Sequence, residues 1–97
     1  MAKRVLIIED EAAIREMVRF ALTRADFEVD EAADAAEAQI RVFEKLPDLI
    51  LLDWMLPDIS GIDLARRFKR ETRSRDLPII MLTARGEEDD KIRGLEV

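Results

Sequence analysis

Residues 48–56 read DLILLDWML, in which four aliphatic side chains run directly into an aspartate and a tryptophan. An unbroken aliphatic run of this length, just after Pro47, is typical of a strand that is buried on both faces of a sheet. We therefore predict a strand over Asp48–Asp53. Because the run ends in a carboxylate, Asp53 is expected where the strand reaches solvent at the edge of the sheet.

Strand-like and helix-like segments alternate through the rest of the chain. Two further strands are apolar throughout, over Lys3–Glu9 and Pro78–Leu82, while Phe27–Ala32 alternates as a half-covered edge strand does. Helical periodicity is predicted from Ala13 to Ala25, over Ala33–Leu46, over Ile62–Glu71 and from about Glu87 to the last residue. This alternation predicts the α/β class, with a three-layer, doubly wound parallel sheet.

Each of the first three helical segments has an apolar stripe that is predicted to pack on the sheet. The stripes are Ile14, Met17, Val18, Ala21, Leu22 and Ala25 in the first helix, Ala36, Ile40 and Phe43 in the second, and Leu64, Ala65 and Phe68 in the third. Charged residues between them, such as Arg15 and Arg19, are expected to face water.

Composition narrows the chemistry that the chain can perform. Its 97 residues indicate one domain, with 48% apolar and 39% charged side chains and no apolar run near the ~20 residues of a membrane span. The absence of cysteine and histidine excludes thiol nucleophiles, imidazole bases and most zinc sites. A net charge of −6 argues against binding to nucleic acid. No secretory signal is visible, so a cytoplasmic location is expected.

Carboxylates gather where the predicted strands end. Glu9, Asp10 and Glu11 follow the first strand, Asp53 ends the third and Thr83 follows the fourth. Ligands of such sheets bind at this edge, although Asp10 alternatively caps the next helix and acidic strand ends also occur by chance. Two carboxylates ~4 Å apart repel by about 4 kcal/mol at an effective dielectric constant near 20, so a cluster requires separation, protonation or a cation. A site whose ligands are all oxygen atoms favours Mg²⁺, or Mn²⁺.

Asp53 is also a candidate nucleophile, because an aspartate is ionised at pH 7 and needs no general base. In-line attack on a phosphoryl group would give an aspartyl phosphate, and the Thr83 hydroxyl could then hydrogen-bond it. Thr83 alternatively caps the segment that follows its strand. Trp54 either covers the mouth of the cleft or acts as a gate whose position reports phosphorylation.

Three motifs resemble, in order and spacing, the receiver domain of bacterial two-component response regulators of the OmpR/PhoB subfamily. They are VLIIEDE at residues 5–11, DLILLDWMLPDISG at 48–61 and PIIMLTARGEEDD at 78–90. The resemblance implies a CheY-like, flavodoxin-like fold in which the strands of this chain take the order 2-1-3-4. It implies a phosphoacceptor domain rather than an enzyme, one that controls dimerisation and transcription in a phosphate-starvation response.

The same resemblance implies roles for particular residues. Asp53 is implied to be the phosphoacceptor and Thr83 the switch hydroxyl, while Glu9, Asp10, Asp53 and the main-chain carbonyl of Met55 are implied to hold Mg²⁺. The implied phosphoryl donor is a phosphohistidine on a sensor histidine kinase, since this chain has no histidine of its own.

Residues 1–97 are further implied to be a truncated receiver domain. The family's fifth strand with its phosphate-binding lysine, its fifth helix and the C-terminal DNA-binding domain have no counterpart in the sequence. Phosphorylation is therefore expected to be slower or shorter-lived, dimerisation through the fourth-helix face to be altered, and DNA contact to be absent. The apolar strand Pro78–Leu82, left as a sheet edge, is predicted to promote association between copies.

Two other classes of protein remain as alternatives. A phosphatase of the haloacid dehalogenase type also uses an aspartate nucleophile, but it needs a second aspartate two residues later, where this chain has Met55. A receiver-like module that binds proteins without taking phosphate would be expected to lose some of Glu9, Asp10 and Asp53, all of which are present.

Overall fold

The computed structural model describes residues 2–82, which form a parallel sheet with helices on both faces. The elements are β1 Arg4–Ile8, α1 Ala12–Arg24, β2 Glu28–Ala32, α2 Ala35–Glu44, β3 Leu49–Asp53, α3 Gly61–Arg70 and β4 Ile79–Leu82. The strand order is β2-β1-β3-β4, so the predicted class and order are confirmed. Thr83 and the helix predicted from about Glu87 lie outside the described residues.

The register of the sheet brings the ends of β1 and β3 side by side. Ile8 pairs with Leu52, the last two aliphatic residues of their strands, so the carboxylates that follow emerge at one edge. The amide of Glu9 also donates to the carbonyl of Ala32 at 3.0 Å, which continues the pairing of β1 with β2 by one residue. The backbone of Glu9 is therefore as fixed as that of the strand before it.

The hydrophobic core lies between the sheet and the layer formed by α2 and α3. Leu64 and Phe68 of α3 are buried against it and Ala65 packs at its margin, which confirms the stripe predicted for this helix. The buried core side chains are Leu6, Ile8, Ala32, Ala35, Ala38, Val42, Ile50, Leu52, Leu64, Phe68, Leu77 and Met81.

The stripe predicted for α2 was wrong. Ala36 is exposed, and Ile40 and Phe43 are 57% and 78% exposed, whereas the neighbouring stripe of Ala35, Ala38 and Val42 is buried. Both stripes have apolar residues at helical spacing, so periodicity does not choose between them. The small side chains of the buried stripe let the helix lie close to the sheet.

The stripe predicted for α1 was too wide, and one of its charged neighbours faces inward. Ile14, Val18 and Leu22 are half-buried, but Met17 is 65% exposed and Ala21 and Ala25 are exposed as well. Arg15, predicted to face water, instead turns toward the end of β1, where its guanidinium has two polar partners.

Candidate functional site

Three carboxylates converge at the carboxyl edge of the sheet. Glu9 and Asp53 are each only 1% exposed, while Asp10 is exposed at the surface. One oxygen of each lies within 4.8 Å of the others. The helix α1 begins after Glu11, which occupies the N-cap position without a side-chain capping bond, so the alternative role of Asp10 as the helix cap is not supported.

Glu9 is held in place by its own turn and by α1. Its Oε2 atom accepts a hydrogen bond from the amide of Glu11 at 3.0 Å. Its main-chain carbonyl accepts one from Nη1 of Arg15 at 2.8 Å, and Nε of the same guanidinium donates to Glu31 at 3.1 Å. Arg15 thus ties the end of β1 to the end of β2, while the bond from Glu11 restricts how the carboxylate of Glu9 can turn.

The environment of Glu9 opposes its negative charge. The pKa of the Glu9 carboxyl is raised to about 7, chiefly by burial. The hydrogen bond from Glu11 opposes this rise, and the charges of Asp53 and Asp10 contribute to it. A cation among the three groups would relieve this repulsion. The donor set, made of carboxylate oxygens with no sulfur or imidazole, fits Mg²⁺ or Mn²⁺.

The loop from β3 to α3 is closed tightly at its base. The amide of Gly61 donates to the carbonyl of Trp54 at 2.7 Å, and Met55 forms an antiparallel bridge with Ser60. A Cβ atom on Gly61 would overlap the carbonyl oxygen of Asp53, so only glycine permits this approach. Met55, whose carbonyl is a candidate metal ligand, therefore lies in a short and constrained loop.

The tip of this loop is bonded to the start of α2. Oδ1 of Asp58 accepts from the amide of Ala35 and Oδ2 accepts from that of Ala36, both at 3.0 Å. These main-chain hydrogen bonds lower the pKa of Asp58, because they favour its charged form. Sequence reasoning missed this residue, since an aspartate after a proline reads as an ordinary turn residue and nothing in the pattern indicates a partner 23 positions away.

Trp54 packs against the margin of the core and is half-buried. Its Nε1 atom is buried and has no hydrogen-bond partner within residues 2–82. This position fits an aromatic residue that covers the site, and its role as a gate stays a prediction. Thr83, the predicted switch hydroxyl, lies outside the described residues.

The structure is that of a doubly wound α/β domain with an acidic cluster at the carboxyl edge of its sheet, and comparison with known proteins gives its family. Residues 5–97 match the response regulator receiver domain, so the chain belongs to this family. It is 57% identical over 97 residues to the phosphate regulon transcriptional regulatory protein PhoB of Pseudomonas aeruginosa, and 56% identical over 96 residues to PhoB of Escherichia coli. These alignments cover 100% and 99% of this chain and 42% of each relative.

Solved structures place the chain in the same class. A putative response regulator from Chloroflexus aurantiacus superposes with a TM-score of 0.91 at 36% identity, over 99% of this chain and 79% of the other. The chemotaxis response regulator CheY4 of Vibrio cholerae superposes with a TM-score of 0.87 at 30% identity, over 97% of this chain and 78% of CheY4.

Membership of this family excludes one of the two alternatives left open by the sequence. The relatives are response regulators, which are regulatory proteins rather than enzymes, so the phosphatase alternative is set aside. None of the helices within residues 2–82 has the length and apolar character that crossing a membrane requires.

Proposed function

We propose that Asp53 accepts a phosphoryl group from the phosphohistidine of a sensor histidine kinase. The observation that carries the proposal is the convergence of Glu9, Asp10 and Asp53 within 4.8 Å at the end of the central strands. Glu9, Asp10, Asp53 and the main-chain carbonyl of Met55 would hold Mg²⁺, or Mn²⁺ in its place. When bound, the cation neutralises charge on the phosphoryl oxygens during transfer.

The chain itself supplies the nucleophile, Asp53, and the strand that fixes its position. An oxygen of ionised Asp53 forms a bond to phosphorus while the phosphorus–nitrogen bond of the donor breaks, and the imidazole that leaves takes up a proton. β3 fixes the position of Asp53, since its neighbour Leu52 is paired on both sides. Positioning of this kind lowers the barrier without a general base.

The role in signalling follows from the relatives. Their names support regulation of transcription in a phosphate regulon. In the proposed function the hydroxyl of Thr83 senses the phosphoryl group, and Trp54 acts as a gate over the site. We extend to this chain the cytoplasmic location and the kinase partner expected of such regulators, and dimerisation of the whole protein on phosphorylation. The chain spans about two fifths of those relatives, so the regulation of genes is a property proposed for the whole protein.

Intact mass spectrometry tests the phosphoacceptor directly. The chain is incubated with Mg²⁺ and acetyl phosphate, and a mass increase of one phosphoryl group is expected. Asp53→Asn should abolish the increase, whereas Asp63→Asn, which changes an exposed carboxylate on α3, should leave it intact. Absence of any mass increase in the unaltered chain would instead favour a receiver-like module that binds proteins without taking phosphate.

A second proposal concerns association between copies of the chain. Within residues 2–82, β4 pairs only with β3, and Ile80 on this strand is 48% exposed. An exposed apolar edge strand favours pairing with another chain. Light scattering over a series of protein concentrations is expected to show dimers or larger species, and a monomer at every concentration would contradict the proposal.

A further inference from the structure

The start of α2 and the loop after β3 are joined by one carboxylate. Ala35 and Ala36 are the first two residues of α2, whose amides have no partner inside the helix. Asp58 accepts a hydrogen bond from each of them, and its Oδ1 also accepts from the amide of Ile59 at 3.0 Å. A side chain from a distant loop therefore completes the cap of this helix.

The remaining capping bonds of α2 are local and independent of the loop. Asp34, the N-cap residue, accepts from the amide of Glu37 at 2.8 Å, and Glu37 in turn accepts from the amide of Ala33 at 2.8 Å. These local bonds satisfy the amides of Glu37 and Ala33, and they leave those of Ala35 and Ala36 to Asp58. The bonds to Asp58 thus do more than start the helix, since they also fix where the loop lies.

We propose that Asp58 is a positioning residue, which holds the loop carrying Trp54 and Met55 in the arrangement needed beside Asp53. The loop is anchored at its base by Gly61 and by the bridge of Met55 with Ser60, and at its tip by Asp58. Loss of the anchor at the tip leaves only the base to hold the segment that carries the carbonyl of Met55. The inference rests on the proposed function, in which that carbonyl is a ligand of Mg²⁺.

The test compares Asp58→Ala with Asp34→Ala in this chain. Both changes remove one negative charge and one capping side chain from α2, but only the first releases the loop. Trp54 is the sole tryptophan of the chain, so its fluorescence reports on the loop and on a Mg²⁺ titration. Asp58→Ala is expected to weaken Mg²⁺ binding by about tenfold, as supporting residues of metal sites do, and Asp34→Ala to leave it unchanged.

A measurement without metal separates this inference from the proposed function. Acrylamide should quench Trp54 more strongly in Asp58→Ala than in the unaltered chain and Asp34→Ala, while Asp58→Asn, which keeps an acceptor oxygen, should restore part of the protection. Equal quenching in all four proteins would overturn the positioning role. Failure of the unaltered chain to respond to Mg²⁺, with the difference in quenching intact, would contradict the proposed metal site and leave the role of Asp58 in holding the loop standing.

Discussion

The guanidinium of Arg15 lies 2.8 Å from the main-chain carbonyl of Glu9 and 3.1 Å from the carboxylate of Glu31. Arg15 thus joins α1 to two neighbouring strands. It bonds to the backbone of Glu9, a candidate metal ligand that follows β1, and to the side chain of Glu31 near the end of β2. The side chain of Arg15 is only 20% exposed, so these charge-assisted bonds are formed away from bulk water.

The change Arg15→Gln is expected to lower the free energy of unfolding by about 1 to 2 kcal/mol and to weaken Mg²⁺ binding, since it removes one of the two hydrogen bonds that fix the backbone of Glu9. Urea unfolding and a Mg²⁺ titration followed by Trp54 fluorescence measure the two effects. Arg19→Gln is the matched control, because Arg19 also pairs with Glu31, at 2.9 Å, but has no hydrogen bond to Glu9. Equal effects of the two changes on Mg²⁺ binding would contradict the role given to Arg15.

The close approach of Gly61 to the carbonyl of Asp53 predicts a large effect from a single methyl group. Gly61→Ala forces that carbonyl or the start of α3 to shift, and we expect a loss of about 2 to 4 kcal/mol in the free energy of unfolding. Ser60→Ala, which removes the adjacent cap of α3, should cost only about 1 kcal/mol. Urea unfolding of both variants checks the prediction, and a Gly61→Ala chain as stable as Ser60→Ala would refute it.

The raised pKa of Glu9 predicts how stability varies with pH in the absence of metal. Between pH 4.5 and about 7 the folded chain keeps a proton on Glu9 that the unfolded chain has released. The free energy of unfolding therefore falls as the pH rises through this range, by about 3 kcal/mol at most. Thermal unfolding in EDTA should show the fall in the unaltered chain and in Glu16→Gln, an exposed control on α1, whereas Glu9→Gln should flatten it. A slope unchanged in Glu9→Gln would assign the effect to other groups.

Repulsion within the acidic cluster predicts that removing one charge stabilises the metal-free chain. Asp53→Asn relieves its repulsion with Glu9, and we expect the free energy of unfolding in EDTA to rise by about 1 kcal/mol. With Mg²⁺ the order should reverse, because the unaltered chain gains stability by binding the cation. Asp63→Asn serves as the control that changes neither result. An Asp53→Asn chain that is less stable in EDTA would show that hydrogen bonding, and not repulsion, dominates at this position.

Local sequence determined the elements and the chemistry of the site. The aliphatic run before Asp53 predicts a buried strand, and the alternation of segments predicts a parallel sheet, because periodicity and β-branching act over a few residues. Carboxylates at the ends of the first and third strands then meet at one edge once those strands are neighbours. The convergence of Glu9, Asp10 and Asp53 was predictable for this reason.

Only the tertiary structure decided which faces and loops those elements use. Whether α2 buries Ala38 or Phe43 depends on how closely the helix approaches the sheet. The periodicity of its apolar residues does not predict that distance. The inward turn of Arg15 and the bonds of Asp58 to α2 join residues that are far apart in the chain. Local sequence specifies which side chains carry charge. The packing of distant segments decides which partner stabilises each charge.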